Sequence, residues 1–480
     1  MSTPVETKKA VSATRSIHTN RTLNLRTVKA IGYDMDYTLI HYRMEEWERR
    51  AYEHLRERMA DLGWPVSALS FDPTLVTRGL VIDAELGNVV KTDRFGYVRK
   101  AFHGTSPMRF DEQKALYARD VVDLSSPRWV FLNTFFSISE ACMYMQLVDI
   151  VDAGEGPRAV GYADLYRKVR ENLDEAHMEG EMKQEIVSNP DAFVELDPGV
   201  PMVLMDQRAA GKQLLLITNS DWTFTSAMMS YAFDRFLPRG KSWRSLFDLV
   251  LCFAQKPAFF MNQMPLFAVD EPTGLLRPVA RLGDEGTYAG GYAALVERHL
   301  GLFGDQILFV GDHLFADVHV TKSVQRWRTA LVIRELEAEH EALESFAERQ
   351  VEFSRLMRRK TGLEQRLSEI RLKLLRKRHG YGPPSRTKQP ELERRIEEYR
   401  ARILDLDAKI SVLAKEASEL LNPNWGLLMR AGNDKSNLAR QVERYADIYM
   451  SRVSNFLSHT PFGYLRAPRG SLPHDPLPGW

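Results

Sequence analysis

The segment VKAIGYDMDYTLIHY, residues 28–42, is an apolar run that ends in two aspartates, Asp34 and Asp36. Residues 28–33 have the composition of a buried strand, and a carboxylate at the end of such a strand is costly unless a partner offsets its charge. Side chains two positions apart in extended chain point to the same side, so the two carboxylates are predicted to share one site. This segment alone leaves two alternatives open: an aspartate-rich turn after a strand, or a pair that holds a cation and performs chemistry.

Composition sets limits on the class of protein. The chain has 480 residues, 44% of them apolar and 27% charged, which is typical of a globular protein with two or three domains. A formal net charge of +1 gives no overall field that favours a nucleic acid polymer or an anionic membrane. Because the sequence has neither a long apolar span nor a secretory signal pattern, we expect a cytoplasmic protein without a membrane partner. Cys142 and Cys252 are expected to be buried free thiols.

Three further junctions between an apolar strand and a polar loop follow along the chain. The run 214–217 leads into Thr218, a strand within 247–260 ends at Lys256, and the run 307–310 leads into Asp312. Continuous apolar strands separated by segments of helix length predict a doubly wound, mostly parallel α/β sheet. In such a sheet the ligand crevice lies at the carboxyl ends of the strands, where all four junctions place their polar residues.

The spacing of these junctions predicts the domain organisation. The predicted segments are a flexible leader (1–24), a catalytic core (25–42 plus 195–335), an inserted α+β cap domain (43–194), an antiparallel helical hairpin (336–420) and a C-terminal segment that packs back on the body (421–480). The hairpin is predicted because apolar residues from 392 to 420 recur in steps of four and three, which is a heptad pattern. A segment rich in glycine and proline, HGYGPPSRTKQP, separates this arm from an earlier helical one.

The polar groups expected in the crevice predict phosphoryl chemistry that depends on a metal ion. They are the carboxylates and donors Asp34, Asp36, Thr218, Asn219, Lys256, Asp312 and Asp317. Carboxylates this close together repel one another unless a cation lies among them, and a set of oxygen ligands favours Mg²⁺. Thr218, Asn219 and Lys256 are the groups expected to receive phosphate oxygens.

Each group then has a predicted role. Asp34 is the nucleophile that attacks phosphorus and forms an aspartyl-phosphate, and Asp36 is the general acid and base. Mg²⁺ and Lys256 offset the repulsion between the attacking carboxylate and the phosphoryl group. Taken singly, these residues also fit structural roles: Asn219 as a helix N-cap, Lys256 as a surface lysine and Asp312 as a turn residue.

The junctions resemble the four motifs of the haloacid dehalogenase superfamily: DMDYTL, Thr218, Lys256 and GDHLFAD. The segments RGLVIDAELGNVVK, FLNTFF, TNSDW and WGLLMRAG further resemble the cytosolic purine 5′-nucleotidases of the IMP/GMP-preferring type. This resemblance implies a Mg²⁺ ion bound by the Asp34 side chain, the Asp36 backbone carbonyl and Asp312, with Asp317 in a supporting role.

The same resemblance implies a nucleotide site in the cap. The residues it implicates in substrate binding are Phe136, which stacks on the base, Asn219 and Ser220, and Arg170, Asp174, His177 and Lys183 in RENLDEAHMEGEMK. Without the resemblance, the spacing of Arg170 and Asp174 predicts a surface ion pair one helical turn apart. Ser137 replaces the family's asparagine after the stacking ring, which leaves purine preference open.

The leading hypothesis is a Mg²⁺-dependent 5′-nucleotidase that hydrolyses purine nucleoside 5′-monophosphates and transfers the phosphoryl group to nucleosides when they outcompete water. The alternatives are a phosphatase of the same fold for another small phosphate ester, or a non-catalytic scaffold that uses the hairpin. The resemblance also implies a homo-oligomer. Asp123 and Ser323 stand where animal members have basic residues of a regulatory site, so we expect different regulation.

Overall fold

The computed structural model describes residues 13–156, 160–468 and 470, without the side chains at 13, 176–179 and 181. Its main sheet has ten strands, which lie side by side in the order Ile17–Thr19, Ile448–Met450, Arg328–Val332, Ile307–Gly311, Ala30–Tyr33, Gln213–Ile217, Leu249–Cys252, Gly286–Gly290, Leu266–Val269 and Leu276–Pro278. The seven strands from Ile448–Met450 to Gly286–Gly290 are parallel, and the edge strands are antiparallel. The predicted α/β fold with a mostly parallel sheet is confirmed.

The central strands are apolar on both faces because both faces are covered. Ala30–Tyr33 is buried at every position, as are Ile307–Gly311 and nearly all of Gln213–Ile217. Gly32 has a steric reason to be glycine, because a Cβ atom there would lie 2.8 Å from the Phe309 ring of the neighbouring strand. Burial of each large side chain in this way contributes about 1.5–3 kcal/mol to the stability of the folded protein. The sheet therefore holds the polar residues at its strand ends rigidly.

Helical segments connect the strands. They are Gly199–Ala209, Trp222–Phe233, Ala258–Met261, Ala293–Leu300, the π-helical turns Leu314–His319 and Thr321–Gln325, and Asn437–Tyr445. Trp222–Phe233 begins where the Asp221 side chain accepts a hydrogen bond from the Phe224 backbone N at 2.9 Å, which is an N-cap. In the described part of the chain, no helix combines the length and the hydropathy needed to cross a bilayer.

The chain between Tyr42 and Val194 forms a separate layer with its own sheet. Its five antiparallel strands lie in the order Ser106–Pro107, Val98–His103, Asn88–Thr92, Val81–Asp83 and Trp129–Phe131. Its helices are Met44–Asp61, Phe110–Tyr117, Ile138–Asp152, Tyr162–Glu179, Glu181–Ser188 and Pro190–Phe193. The chain enters and leaves this layer through one antiparallel pair, His41–Tyr42 with Val194–Glu195. We call residues 43–194 the cap.

The predicted flexible leader is wrong for residues 17–24. Ile17–Thr19 pairs with Ile448–Met450, and Leu23–Asn24 pairs with Tyr464–Leu465. Between the two pairs, the Asn20 amide donates to two backbone carbonyls of the C-terminal segment at 3.1 Å each. Polar composition suggested a loose segment, but these short strands are held by backbone pairing with partners that are remote in sequence. Residues 1–12 of the predicted leader lie outside the described residues.

Residues Ala338–Leu427 form a second compact unit. Its long helices, Ala347–His379 and Gln389–Ser418, run antiparallel, and the first ends at Gly380 in the left-handed conformation (φ 67°). Two buried clusters join the helices: Leu356, Leu363, Leu406, Ile410 and Leu413, and Leu367, Ile370, Leu374, Leu392 and Ile396. The remaining domain boundaries stay predictions.

Candidate active site

The first strand ends in a tight turn that carries both aspartates. The Asp34 backbone N donates to the Val310 carbonyl at 2.9 Å, which extends the parallel pairing by one residue past the strand. The chain then turns back, since the backbone N of Ile40 donates to the Met35 carbonyl at 3.0 Å. Tyr37 adopts the left-handed region (φ 55°), an uncommon conformation for a residue other than glycine that is enriched at functional sites.

Lys256 lies on a loop, whereas the sequence predicted a strand that continues to it. The strand ends at Cys252 because Phe253 and Gln255 adopt positive φ angles of 47° and 56°, which no strand allows. The loop is fixed by Asn219, whose Oδ1 accepts from the Lys256 backbone N at 2.7 Å and whose Nδ2 donates to the Lys256 carbonyl at 3.1 Å. Asn219 was predicted to bind substrate, but in this structure its amide holds the lysine loop.

The Lys256 ammonium group lies between two carboxylates at the edge of the sheet. Its Nζ is 2.7 Å from Asp34 Oδ1 and 2.8 Å from Asp317 Oδ1, and only 3% of the lysine side chain is exposed. Burial raises the pKa of Asp34 to about 7; the Lys256 charge opposes this shift, and Asp317 adds to it. Burial by itself would lower the pKa of Lys256, but the charges of Asp317 and Asp34 outweigh it and raise that pKa. The lysine therefore stays charged.

Asp36 is held by two hydroxyl groups. Its Oδ1 accepts from the Tyr42 hydroxyl at 2.6 Å, and its Oδ2 accepts from Ser220 Oγ at 2.8 Å. Burial raises the pKa of Asp36, and both hydrogen bonds oppose that shift. Ser220 was predicted to bind substrate, but its hydroxyl is bonded to Asp36. Tyr42, in the short strand His41–Tyr42, was missed by the sequence reasoning, because a single tyrosine carries no signal of its own.

Three carboxylates at this edge could hold a metal ion. Oxygen atoms of Asp34, Asp312 and Asp317 all lie within 4.8 Å of one another. Asp312 Oδ2 is buried and has no hydrogen-bond partner among the described residues, and burial raises the pKa of Asp312 well above its usual range. A buried carboxylate oxygen without a donor is stabilised by a cation, so these side chains fit a divalent metal.

Two other side chains complete the surroundings of the crevice. The Thr218 hydroxyl is buried and accepts a hydrogen bond from the Ser220 backbone N at 3.1 Å. Arg78, a cap residue that the sequence reasoning missed, donates to the Asp312 carbonyl at 3.3 Å and forms a salt bridge of 2.6 Å with Glu335. The Asp312 loop is therefore fixed by a cap residue as well as by the sheet.

The cap presents an aromatic ring near the aspartate turn. The Phe136 ring lies 5.1 Å from the Tyr37 ring and 5.7 Å from the Trp47 ring, measured between centroids, with edge-to-face geometry in both pairs. Phe136 is half-buried, and Tyr37 directly follows Asp36 in the chain. The residue predicted to stack on a base thus packs beside the turn that carries the predicted acid and base.

The charged residues predicted in the cap are partly brought together. Arg170 Nε donates to Asp174 Oδ2 at 3.1 Å, and Arg170 Nη1 donates to Oε2 of Glu140, which the sequence reasoning missed, at 2.8 Å. Lys183 Nζ lies 3.6 Å from Asp221 Oδ2, and its charge opposes the rise that burial causes in the pKa of Asp36, so it lies near the crevice. The side chain of His177 lies outside the described residues.

A parallel sheet with carboxylates and a buried lysine at the carboxyl ends of its strands is the arrangement of a phosphoryl-transferring hydrolase. Residues 17–477 match the model of the 5′ nucleotidase family. The chain belongs to that family, within the haloacid dehalogenase superfamily, and is a hydrolase of phosphoric monoesters that acts on nucleoside monophosphates. The predicted family resemblance and the predicted enzyme class are confirmed.

Relatives of known sequence and structure are distant. The chain is 25% identical over 488 residues to 5′-nucleotidase domain-containing protein 2 of Rattus norvegicus, covering 97% of this chain and 80% of the relative. It is 23% identical over 475 residues to a 5′-nucleotidase domain-containing protein of Dictyostelium discoideum, covering 96% and 75%. Among solved structures, it is similar to a β-phosphoglucomutase of Pyrococcus sp. (TM-score 0.32, 10% identity, covering 64% and 87%). It is also similar to CbbY of Rhodobacter sphaeroides in complex with phosphate (TM-score 0.23, 17% identity, covering 64% and 86%).

Proposed function

We propose that this protein is a Mg²⁺-dependent 5′-nucleotidase that hydrolyses purine nucleoside 5′-monophosphates through an aspartyl-phosphate. The observation that carries the proposal is the buried crevice in which Lys256 Nζ lies 2.7 Å from Asp34 Oδ1, with Asp312 and Asp317 beside them. A carboxylate attacks a dianionic phosphate only where positive charge offsets their repulsion, and this crevice supplies one fixed cation and the ligands for a second.

The chemistry divides into two displacements at phosphorus. In the first, an Asp34 oxygen forms a bond to phosphorus while the bond to the 5′-oxygen breaks, and Asp36 donates its proton to that leaving oxygen. In the second, Asp36 removes a proton from water, which attacks the aspartyl-phosphate and releases inorganic phosphate and Asp34. Lys256 stabilises the charge of the phosphoryl oxygens, and the hydroxyls of Tyr42 and Ser220 orient Asp36.

The metal ion would be held by Asp34 and Asp312, with the Asp36 backbone carbonyl as a third ligand. Asp317 supports this site, since its Oδ1 is 2.8 Å from Lys256 Nζ and its Oδ2 accepts from the His313 backbone N at 3.1 Å. When bound, Mg²⁺ would neutralise charge on the phosphoryl group and help orient it. Preference for Mg²⁺ over softer metals follows from a donor set made only of oxygen.

The cap is proposed to select the nucleotide. Phe136 supports a stacked base, Arg170 contacts the base, and Asp174 and His177 contact the base or the ribose, while Lys183 lies close enough to the crevice to assist phosphate binding. A nucleoside that occupies the same site after the first displacement can accept the phosphoryl group in place of water. We further propose a cytoplasmic homo-oligomer.

The experiment that tests the proposal measures phosphate release from IMP, GMP, AMP, CMP, UMP and ribose 5-phosphate, with Mg²⁺ and with EDTA, for the wild type and Asp34→Asn. Purine-selective release that requires Mg²⁺ and is lost in Asp34→Asn supports it. Release from ribose 5-phosphate alone would keep the chemistry and contradict the role of the cap. No release from any substrate would favour a scaffold.

A further inference from the structure

Glu140 is a fully buried carboxylate in the cap, and its partner is an arginine that reaches the surface. Glu140 Oε2 lies 2.8 Å from Arg170 Nη1, where 0% of the Glu140 side chain and 47% of the Arg170 side chain are exposed. Burying a carboxylate is costly, and a paired cation with hydrogen bonds recovers part of the cost. The buried Glu140 carboxylate therefore holds the partly exposed guanidinium group of Arg170 in place.

Arg170 is restrained from more than one side. Its Nε donates to Asp174 Oδ2 at 3.1 Å on the same helix, and its Nη1 donates to Glu140 Oε2 on the neighbouring helix. A free arginine side chain carries about 2 kcal/mol of rotamer entropy, which binding would have to offset. An arginine that is already fixed loses less rotamer entropy on binding, so it binds a ligand more tightly than a mobile arginine does.

The same segment carries the aromatic ring and the buried carboxylate. Phe136 lies in the turn Phe135–Ser137, and the helix Ile138–Asp152 that carries Glu140 follows without a break. The helix packs against Tyr162–Glu179, which carries Arg170. The position of Arg170 is thus tied to the segment that positions the ring.

We propose that Glu140 is a positioning residue that fixes Arg170 and thereby sets the affinity for the base of the substrate. The inference rests on the proposed function, in which Arg170 contacts the nucleotide. Glu140 acts only through Arg170 and touches no reacting atom. Its loss weakens binding of substrates that carry a base and leaves the phosphoryl chemistry intact.

The cap offers a matched control. Glu48 is also fully buried, but it accepts a hydrogen bond from the Ser139 backbone N at 2.9 Å rather than from a cation. Burial raises the pKa of Glu48 to about 8, so the group is protonated at pH 7 and Glu48→Gln is close to isosteric. A general effect of substituting a buried acid in the cap would appear in both variants.

The experiment measures kcat and KM for IMP, GMP and ribose 5-phosphate with the wild type, Glu140→Gln, Glu48→Gln, Arg170→Ala and the double variant Glu140→Gln/Arg170→Ala. We expect Glu140→Gln to raise KM for the purine nucleotides about tenfold, the size expected for one charge-assisted hydrogen bond, without changing kcat. The constants for ribose 5-phosphate, and all constants of Glu48→Gln, stay unchanged. Glu140→Gln adds nothing in the Arg170→Ala background, because the two residues act as one unit.

Three outcomes would overturn the inference. If Glu140→Gln leaves KM for nucleotides unchanged while the wild type hydrolyses them, the inference fails and the proposed function stands. If its effect adds fully to that of Arg170→Ala, or appears equally with ribose 5-phosphate, Glu140 has a general structural role. If the wild type releases phosphate from no nucleotide, the proposed function fails together with the inference.

Discussion

The crevice and the part of the cap proposed to bind the nucleotide are built in different ways. In the crevice, Asp34 and Asp312 directly follow parallel strands, and the backbone of those strands fixes them. In the cap, Arg170 and Asp174 lie on a helix surface, and side-chain contacts orient them. With the cap selecting the nucleotide as proposed, the sheet fixes the reacting groups, and side-chain changes in the cap can alter the substrate at little cost to the chemistry.

The largest effect should come from removing the buried cation of the crevice. Lys256→Met leaves Asp34 and Asp317 buried without their shared partner, so we expect activity to fall about a thousandfold and the free energy of unfolding to fall by about 3 kcal/mol. Phosphate release and urea denaturation measure the two quantities. Adding Asp317→Asn should restore part of the stability and none of the activity; recovery of activity would show that the charge of Lys256 is not needed.

Metal binding should stabilise the crevice and not the cap. Mg²⁺ at about a hundred times its dissociation constant should raise the free energy of unfolding by about 2.7 kcal/mol, which thermal denaturation detects. Asp312→Asn should abolish that increase. Asp83→Asn, which removes a buried cap carboxylate paired with Arg128, should lower the melting temperature but keep the increase. If Mg²⁺ raised the free energy of unfolding equally in the wild type and both variants, the ion would bind at another site.

The pH dependence of folding stability should reveal the protonation of Glu48, a buried acid of the cap. The pKa of Glu48 is raised by burial from 4.5 to about 8, so between these values the unfolded chain loses a proton that the folded protein keeps. Stability therefore falls as pH rises from about 4.5 to about 8. Glu48→Gln removes this loss, and we expect it to gain on the order of 2 kcal/mol relative to wild type at pH 8 compared with pH 6. Urea denaturation at both pH values checks this. The same change in the free energy of unfolding with pH in wild type and Glu48→Gln would contradict it.

The smallest effect should come from the hydroxyls that orient Asp36. Tyr42→Phe and Ser220→Ala each remove one hydrogen bond to its carboxylate, so we expect kcat to fall about fivefold to tenfold in each, with KM nearly unchanged. Steady-state kinetics with a purine nucleotide measure this. Tyr52→Phe serves as the control, since its hydroxyl bonds to Gln146. A change in KM alone would mean that the hydroxyls bind substrate.

The sequence predicted the sheet because strand signals are local. Runs such as 307–310 are apolar at every position, and the polar residue that follows each run marks the edge where a ligand binds. The predicted strand before Lys256 was too long, because the positive φ angles of Phe253 and Gln255 depend on how the loop is held by Asn219. Composition carries no signal for that contact.

Side-chain partners that only the folded chain brings together were beyond prediction. Tyr42 and Glu140 gain their roles from contacts with Asp36 and Arg170 that only the folded chain creates. Asn219 and Ser220 were identified as site residues, but the groups they bond could not be read from a single sequence. The strand Ile17–Thr19 was missed for the same reason, because its pairing partner is Ile448–Met450.

That pairing has a consequence for how the molecule is made. The strand Arg328–Val332 lies between Ile307–Gly311 and Ile448–Met450, and the chain completes the second neighbour only after the helices Ala347–His379 and Gln389–Ser418 have been synthesised. During synthesis on the ribosome, one edge of Arg328–Val332 therefore stays unpaired until Ile448–Met450 has been made. The strand Ile17–Thr19, which is made first, also stays unpaired until then. An unpaired edge strand is a site of aggregation. A protein stopped before residue 448 should thus accumulate as insoluble material even though its crevice residues have all been made.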